Sequence, residues 1–358
     1  MRIVFTSLPA YGHLYPMLPL ALACADAGHE VTVATGEPFA GRLPLPTART
    51  FDADKLNDLQ HQTARSRRGP MDPAGFATAF FGEFCAPAAI EALQPIFTEN
   101  RPDLVVYAVA DVGAAVVAHA MGVAAVAFGL GQWHPVLAEW QATASRLNNS
   151  AAQLRHYLDP APSVLSTNPA GIPIRPVAWS EDGPTPEWRL SRPRVYITLG
   201  TVAFGAVEVL RRAILETAAH DVEILVAVGP SGDPALLGDL PDNVTVERFV
   251  SQAAVLPEVD LVVHHGGSGT MLGAMEHGLP QLILPQGADQ FINAETVARI
   301  QAGRALRNDE QVPGAIQAAV EQLLTDGPER LTAKRIAGEI AAMPAPAEVV
   351  PVLEGLVR

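Results

Sequence analysis

The chain has 358 residues, with 24 basic against 38 acidic side chains and a formal net charge of −14. That length suggests two domains of roughly 100–200 residues each, and 49% apolar with 17% charged residues excludes a disordered chain. The acidic balance, without any basic run, argues against binding duplex nucleic acid or an anionic membrane surface. Cys24 and Cys85 make no disulfide framework and are expected as free, buried thiols in a cytoplasmic protein. No uninterrupted apolar run reaches the roughly 18 residues of a membrane span. Met1 to Phe5 is too short for the apolar region of a signal peptide.

Arg2 to Leu8 reads as a strand buried on both faces, closed by Pro9. Apolar residues recur at helical spacing from Leu14 to Ala27 and stop at Gly28, a C-cap residue. Glu30 to Thr35 is a second strand. So short a strand–helix–strand unit implies a parallel sheet with a right-handed crossover. Residues 41–82 show no clear period. A helix is predicted over Pro87–Glu99, a strand over Asp103–Tyr107, a helix from Val112 to Met121 and a strand over Val123–Phe128. Residues 129–160 carry aromatic and polar groups without a clear strand.

The segment SEDGPTPEWRLSRP at 180–193 mixes prolines and charges without periodicity and is the linker candidate. Beyond it the alternation restarts. Strands are predicted over Val195–Leu199, Glu223–Val228, Val244–Glu247, Leu261–His264 and Gln281–Leu284. A last helix near Glu329–Ala342 precedes a Pro-rich tail. The expected fold class is α/β, with two Rossmann-like parallel-sheet halves at 1–179 and 194–342, and a separate C-terminal segment at 343–358.

Several chemistries are absent from the motifs. Neither Lys55 nor Lys334 follows a glycine, so there is no P-loop. The loop after the first strand lacks the G-x-G-x-x-G fingerprint, G-x-S-x-G is missing, and no Cys/His spacing suits a metal. What stands out is Leu261-Val262-Val263-His264-His265-Gly266-Gly267-Ser268-Gly269-Thr270. A buried strand runs there into small residues and a helix start, where free N–H groups and the macrodipole favour a phosphate. His264, Ser268 and Thr270 supply further donors. The alternative is a Gly-rich turn whose histidines satisfy backbone groups.

His13, in Tyr11-Gly12-His13-Leu14-Tyr15-Pro16, sits where the first strand hands over to a helix, a place for a general base. The alternative is a solvated or capping histidine. Asp111, after another strand, can orient that imidazole or cap the helix that follows it. Gln286-Gly287-Ala288-Asp289-Gln290 is either a pair of hydroxyl-binding side chains or an ordinary polar turn.

Taken together, these features resemble the GT-B glycosyltransferases of family 1, specifically the bacterial antibiotic and natural-product enzymes of enediyne and macrolide type. The match spans almost the whole chain. Its specific part is the ordered series Phe249-Val250-Ser251-Gln252, HHGGSGT at 264–270 and Asp289-Gln290, with G-H-x-x-P at 12–16 in the amino half.

The resemblance implies two facing Rossmann-like domains with a cleft between them, the last helix crossing back to the amino domain. It implies His13 as catalytic base and Asp111 as its orienting acid. The nucleotide base falls to Phe249, Val250, Gln252 and Leu272. The diphosphate falls to Thr201, His264, Gly266, Ser268, Gly269 and Thr270, and the sugar hydroxyls to Asp289 and Gln290. Relatives that use UDP-sugars often carry a glutamate at the Leu272 position, which points to a dTDP-sugar here. Phe80, Phe81, Phe84, Trp133 and Trp140 line an acceptor pocket or pack a core.

The expected activity is inverting, metal-independent and cofactor-free transfer to a hydrophobic aglycone. Expected partners are a nucleotide sugar and that aglycone, with no nucleic acid or membrane, and a homodimer is admitted. Rival readings are a nucleotide-sugar epimerase or hydrolase on the same fold, a catalytically silent auxiliary protein and a dehydrogenase.

Overall fold

The structure is a computed structural model that describes residues 1–66, 73–166, 168–181, 187–189, 191–200, 207–229 and 232–357. It divides into two compact units, Met1–Arg175 with Met343–Arg358, and Pro176–Ala342.

The first unit holds a seven-stranded sheet in the order β3-β2-β1-β4-β5-β6-β7. Its strands are β1 (Arg2–Thr6), β2 (Glu30–Thr35), β3 (Thr47–Arg49), β4 (Leu104–Ala108), β5 (Ala124–Phe128), β6 (Tyr157–Asp159) and β7 (Ile172–Pro173). Every pairing is parallel. β4 is buried along its whole length, as a strand covered on both faces must be. The strand order reverses between β1 and β4, and ligands of such sheets bind outside the carboxyl ends at that reversal.

Helices α1 (Leu18–Asp26), α2 (Ala86–Glu99), α3 (Val112–Ala120) and α4 (Val136–Leu147) cover this sheet. The irregular stretch at 41–82 contains a polar, amphipathic helix, Ala53–Ser66, that buries only Leu59 and Thr63. So narrow a stripe leaves little periodic signal. Pro73–Ala77 then runs through a π-helix, Thr78–Cys85, into α2. Glycines set the packing distances here. A Cβ on Gly82 would lie 3.0 Å from both Thr143 Cβ and Trp140 O of α4, and one on Gly113 of α3 would lie 2.6 Å from Ala86 O.

Pro73–Glu99 is 27 continuous residues, long and apolar enough by length and composition to cross a bilayer. Glu83 and Glu91 interrupt it, so no uninterrupted apolar run is present, in agreement with the sequence reading. Its Phe80, Cys85, Ala86, Ala89, Leu93 and Phe97 are spent on the core of the first unit. Residues 129–160, where no strand was evident, form α4 and the three-residue β6. β6 is too short to show a period.

The second unit holds a six-stranded parallel sheet in the order β10-β9-β8-β11-β12-β13. Its strands are β8 (Arg194–Thr198), β9 (Glu223–Ala227), β10 (Val244–Glu247), β11 (Leu261–His264), β12 (Gln281–Ile283) and β13 (Gly303–Ala305). Alternate residues of β8 enter opposite cores: Val195 and Ile197 pack with Ile214 and Leu282, whereas Tyr196 packs with Leu225 and Ala274. Helices α5 (Ser268–Glu276) and α6 (Gln290–Arg299) follow β11 and β12.

The proposed linker at 180–193 is fastened to this second unit where it is described. Ser180 Oγ lies 2.7 Å from Ser251 Oγ, and Arg189 donates its N–H to Glu223 Oε1 at 2.7 Å. Trp188 packs on the core with the Arg194 guanidinium 5.0 Å from its ring centroid. Polar side chains pinned this way make the segment a strap of the unit, and the division between units falls earlier, after Arg175.

The Pro-rich tail forms α7 (Pro346–Gly355). Proline suits the first helical position, and Glu348 reaches back to the Ala345 N–H at 2.7 Å. α7 packs on α1 within the first unit, where His29 Nε2 lies 3.2 Å from Glu354 Oε1. Arg175 donates its N–H to Pro344 O at 2.7 Å beside it.

Candidate active site

In the first unit the candidates gather at the carboxyl ends of β1 and β4. Thr6 closes β1 opposite Tyr107 of β4. His13 stands in the single-turn helix Tyr11–Leu14 that follows β1. Its Nδ1 is buried without a hydrogen-bond partner. Burial lowers the imidazole to about 4, so the ring is neutral near pH 7 and able to accept a proton.

Asp111 occupies the N-cap position of α3, but its carboxylate makes no capping bond and Oδ1 is buried without a partner. Burial raises this carboxyl to about 6, against a downward pull from the Thr6 hydroxyl. Asp111 also raises the neighbouring Cys85 thiol and Tyr107 hydroxyl, in both cases after burial. No hydrogen bond joins Asp111 to His13. The orienting bond that the family pattern implies is not made here, although each residue presents an unpaired polar atom.

The aromatic residues do not form one wall. Phe80 and Trp140 are core, each 9% exposed, and Phe84 packs half-buried against that core. Trp133 pairs with Tyr157 instead, with ring centroids 4.9 Å apart. The half-buried Phe81 meets His13 at 5.9 Å and Trp140 at 4.4 Å.

In the second unit β11 delivers His264-His265-Gly266-Gly267 to the start of α5. His264 is fully buried. Its Nδ1 accepts the Gly266 N–H at 3.1 Å, so Nε2 carries the proton and donates to Gln281 Oε1 at 2.8 Å. Burial lowers it to about 3. With both nitrogens committed, His264 is a structural histidine, and its expected place at the diphosphate is corrected.

His265, the next residue, stands instead beside the start of α5. Its ring lies between Gly200 and Gly267, where added Cβ atoms would approach its ring atoms to 2.5 Å. Its Nδ1 is unpartnered, and burial lowers it to about 4 against the Thr198 backbone. The sequence signal for choosing between the two histidines was the strand period. The residue that ends a doubly covered strand points into the core, and the next one leaves the sheet.

α5 begins without a side-chain cap or an acidic residue in its first turn. Its first backbone bond is Met271 N–H to Gly267 O at 3.0 Å, so the N–H groups ahead of it are left without intrahelical partners. A Cβ on Gly269 would meet nothing within 4 Å, so the space at that turn is open. Gly266 has φ +95°, and a Cβ there would lie 2.8 Å from Ile283 Cγ2. Thr270 and Gln252 are linked, with Gln252 Nε2 donating to Thr270 Oγ1 at 3.3 Å. Phe249 is half-buried in the loop after β10. Val250 and Leu272 are buried at 3% and 5% exposure, so their side chains pack the interior. Thr201 lies outside the described residues.

Asp289, at the N-cap position of α6, accepts from Ser268 Oγ at 3.1 Å and from Asn293 Nδ2 at 3.2 Å. Asn293 Nδ2 also donates to Gly266 O at 2.8 Å and to Ser268 Oγ at 3.1 Å. The sequence reading missed Asn293, although its i+4 spacing from Asp289 puts both on one helix face. Gln290 Oε1 accepts the N–H groups of Gln286 and Gly287 at 2.8 and 3.1 Å. Half of its amide therefore shapes the loop. Among the described residues, no group of three or more His, Cys, Asp or Glu side chains is arranged to hold a metal ion.

Residues 211–356 match the family described as erythromycin biosynthesis protein CIII-like, C-terminal domain. The chain is 36% identical to the L-demethylnoviosyl transferase of Streptomyces niveus, with 98% of this chain and 96% of that protein covered. It is 33% identical to the elloramycin glycosyltransferase of Streptomyces olivaceus, with the same coverage. Among solved structures, the spinosyn rhamnosyltransferase SpnG complexed with thymidine diphosphate superposes with a TM-score of 0.81 at 28% identity. That match covers 99% of this chain and 100% of the other. The same enzyme has also been solved with the spinosyn aglycone.

Proposed function

This chain belongs to the GT-B glycosyltransferases of antibiotic biosynthesis, and from that premise we propose that it moves a sugar from a dTDP-sugar to a hydroxyl of a hydrophobic natural-product aglycone, inverting the anomeric configuration. The observation that carries the reading is the uncapped start of α5, with His265 beside it and open space at Gly269. Such a helix start, with the neutral imidazole of His265 beside it, suits a diphosphate. Thymidine diphosphate and aglycone complexes of SpnG support the same substrate pair.

The acceptor oxygen attacks the anomeric carbon while its proton passes to the neutral His13 imidazole. The bond from that carbon to the diphosphate breaks, and its electron pair leaves with dTDP. Charge on the leaving oxygen falls to the α5 N–H groups and His265, which are already oriented. Asp111 balances the imidazolium that forms at His13. Asp289, held by Ser268 and Asn293, takes the sugar hydroxyls together with the free half of the Gln290 amide. Phe249, Gln252 and the backbone of Val250 receive the nucleotide base. The reaction is redox-neutral and consumes no cofactor.

The preference for thymidine follows from what the Leu272 position lacks, because an inward-packed leucine there offers no acceptor to a ribose. A leucine accepts no bond from a ribose 2′-hydroxyl, and leaving that hydroxyl buried and unpaired costs about 1–3 kcal/mol. The deoxyribose of dTDP has no such group. Calorimetric titration with dTDP and UDP tests the reading. Tight dTDP binding with UDP about 5- to 100-fold weaker is expected. Equal affinities, or a preference for UDP, would remove the donor assignment.

A further inference from the structure

We propose that Phe81, backed by the Trp140 ring, is a positioning residue for His13, presenting its own ring to the imidazole from a wide helical turn. The inference rests on reading His13 as the base. Among the described residues no hydrogen bond holds this imidazole: it stands in a single turn of helix, and its Nδ1 has no partner. Its described ring contact is Phe81, with centroids 5.9 Å apart and planes inclined by 47°. Phe81 is in turn backed by Trp140 at 4.4 Å and flanked by Phe80 at 4.9 Å, close aromatic contacts on either side. Trp140 and Phe80 are both core residues at 9% exposure, so the ring behind Phe81 does not give way.

The backbone that presents Phe81 is itself unusual. It lies in the π-helix Thr78–Cys85, and such i→i+5 turns are rare and concentrate at functional sites. The next residue, Gly82, seats this turn on α4. A Cβ there would sit 3.0 Å from Trp140 O, so the turn has little room to shift. Four residues on, Cys85 feels the charge of Asp111. One irregular element therefore borders both residues assigned to proton transfer. The titratable groups around the pair are Asp111 at the head of α3, Cys85 on the π-helix and Tyr107 on β4. The shift of His13 itself has burial as its cause, and Phe81 is part of what buries it.

The test uses the full chain with ring-labelled histidine. The His13 resonance is identified by its absence from His13→Gln. In Phe81→Leu, which keeps apolar volume but removes the ring, the His13 ring signals shift while those of the other nine of the 10 histidines stay in place. In Phe81→Ala, the His13 titration midpoint rises from about 4 toward 6.5. Phe81→Tyr restores both. Turnover, followed as dTDP release from dTDP-glucose with a hydroxycoumarin acceptor, drops about tenfold or more in Phe81→Leu through kcat. The dTDP affinity is unchanged.

Unmoved His13 signals and midpoint in Phe81→Leu and Phe81→Ala would overturn the proposal. Should Phe81→Ala not fold, Phe81→Leu alone decides it. Full turnover in His13→Gln would instead refute the base assignment. Turnover lost in His13→Gln but kept in Phe81→Leu would refute the role of Phe81 alone.

Discussion

Gly266 donates its backbone N–H to Nδ1 of the buried His264 at 3.1 Å, which turns the other nitrogen of that ring toward Gln281. His265, one residue on, keeps an unpartnered Nδ1 between two glycines. The two adjacent histidines are thus expected to fail in different ways. His265→Ala should lower dTDP affinity by about tenfold or more, the scale of a hydrogen bond to a charged group, with little change in melting temperature. His264→Ala leaves the Gly266 N–H and the Gln281 carbonyl oxygen buried and unpaired, at about 1–3 kcal/mol each, and should lower the melting temperature by several degrees. Calorimetry and thermal unfolding on both variants check this, and the reverse pattern would restore His264 to the ligand.

Asn293 joins the start of α5 to Asp289, because one amide nitrogen reaches Gly266 O, Ser268 Oγ and Asp289 Oδ2. Asn293→Ala should weaken binding of dTDP-glucose more than binding of dTDP, since Asp289 loses a partner that aims it. Asn293→Asp should be worse still, because it sets a second carboxylate about where the amide now lies, 3.2 Å from Asp289 Oδ2. Paired titrations with dTDP and dTDP-glucose measure the difference. An equal loss for both ligands would make Asn293 a purely structural residue.

These cases show where reading the chain in one dimension succeeds and stops. The strands with continuous apolar character, such as Leu104–Ala108 and Leu261–His264, were legible because burial on both faces leaves no other pattern. The HHGGSGT series was legible as a strand–helix turn because small residues after a buried strand mark one. What failed depends on neighbours distant in sequence. Gln281, seventeen residues away, decides that His264 is structural. The π-helix has no spacing signature of its own, and Gly82 and Gly113 let the neighbouring helices approach closely in a way that only the folded structure shows. The strap at 180–193 reads as a linker until Glu223 and Ser251 are seen to hold it.

The proton-transfer pair yields a further prediction. His13→Ala should reduce kcat by about 100- to 10,000-fold, the usual worth of a positioned base, while dTDP affinity stays within about twofold. Asp111→Asn keeps the shape but cannot balance an imidazolium, so kcat should fall by a similar factor. Asp111 carries the higher value, about 6 against about 4 for His13. The acid limb of kcat/KM should therefore follow Asp111 and fall as pH drops through about 6. An acid limb that stays in place in Asp111→Asn would mean that a different group sets it.

Stability should depend on pH in the opposite sense to that expected for a protein held by ion-paired histidines. His13, His264 and His265 are lowered to about 4, 3 and 4 from an unfolded value of 6.5, each chiefly by burial. Between 6.5 and those values the unfolded chain binds more protons than the folded one, so unfolding gains as pH falls. Their contribution is fully present above pH 6.5 and is lost progressively toward pH 4. Asp111 works the other way. Its carboxyl is raised from 3.8 to about 6, so the folded state takes up its proton first and gains stability as pH falls through that window. Burial raises Asp159 and Asp289 in the same direction as Asp111, but the three imidazoles begin to take up protons in the unfolded chain at 6.5, above the Asp111 value, and the melting temperature should fall from pH 7 to pH 5. His264→Gln, which no longer titrates, should flatten that fall even though it starts from a lower melting temperature. Thermal unfolding scans across this range decide the matter. A melting temperature that rises on acidification, or an equal slope in His264→Gln, would show that these imidazoles are not held neutral by burial.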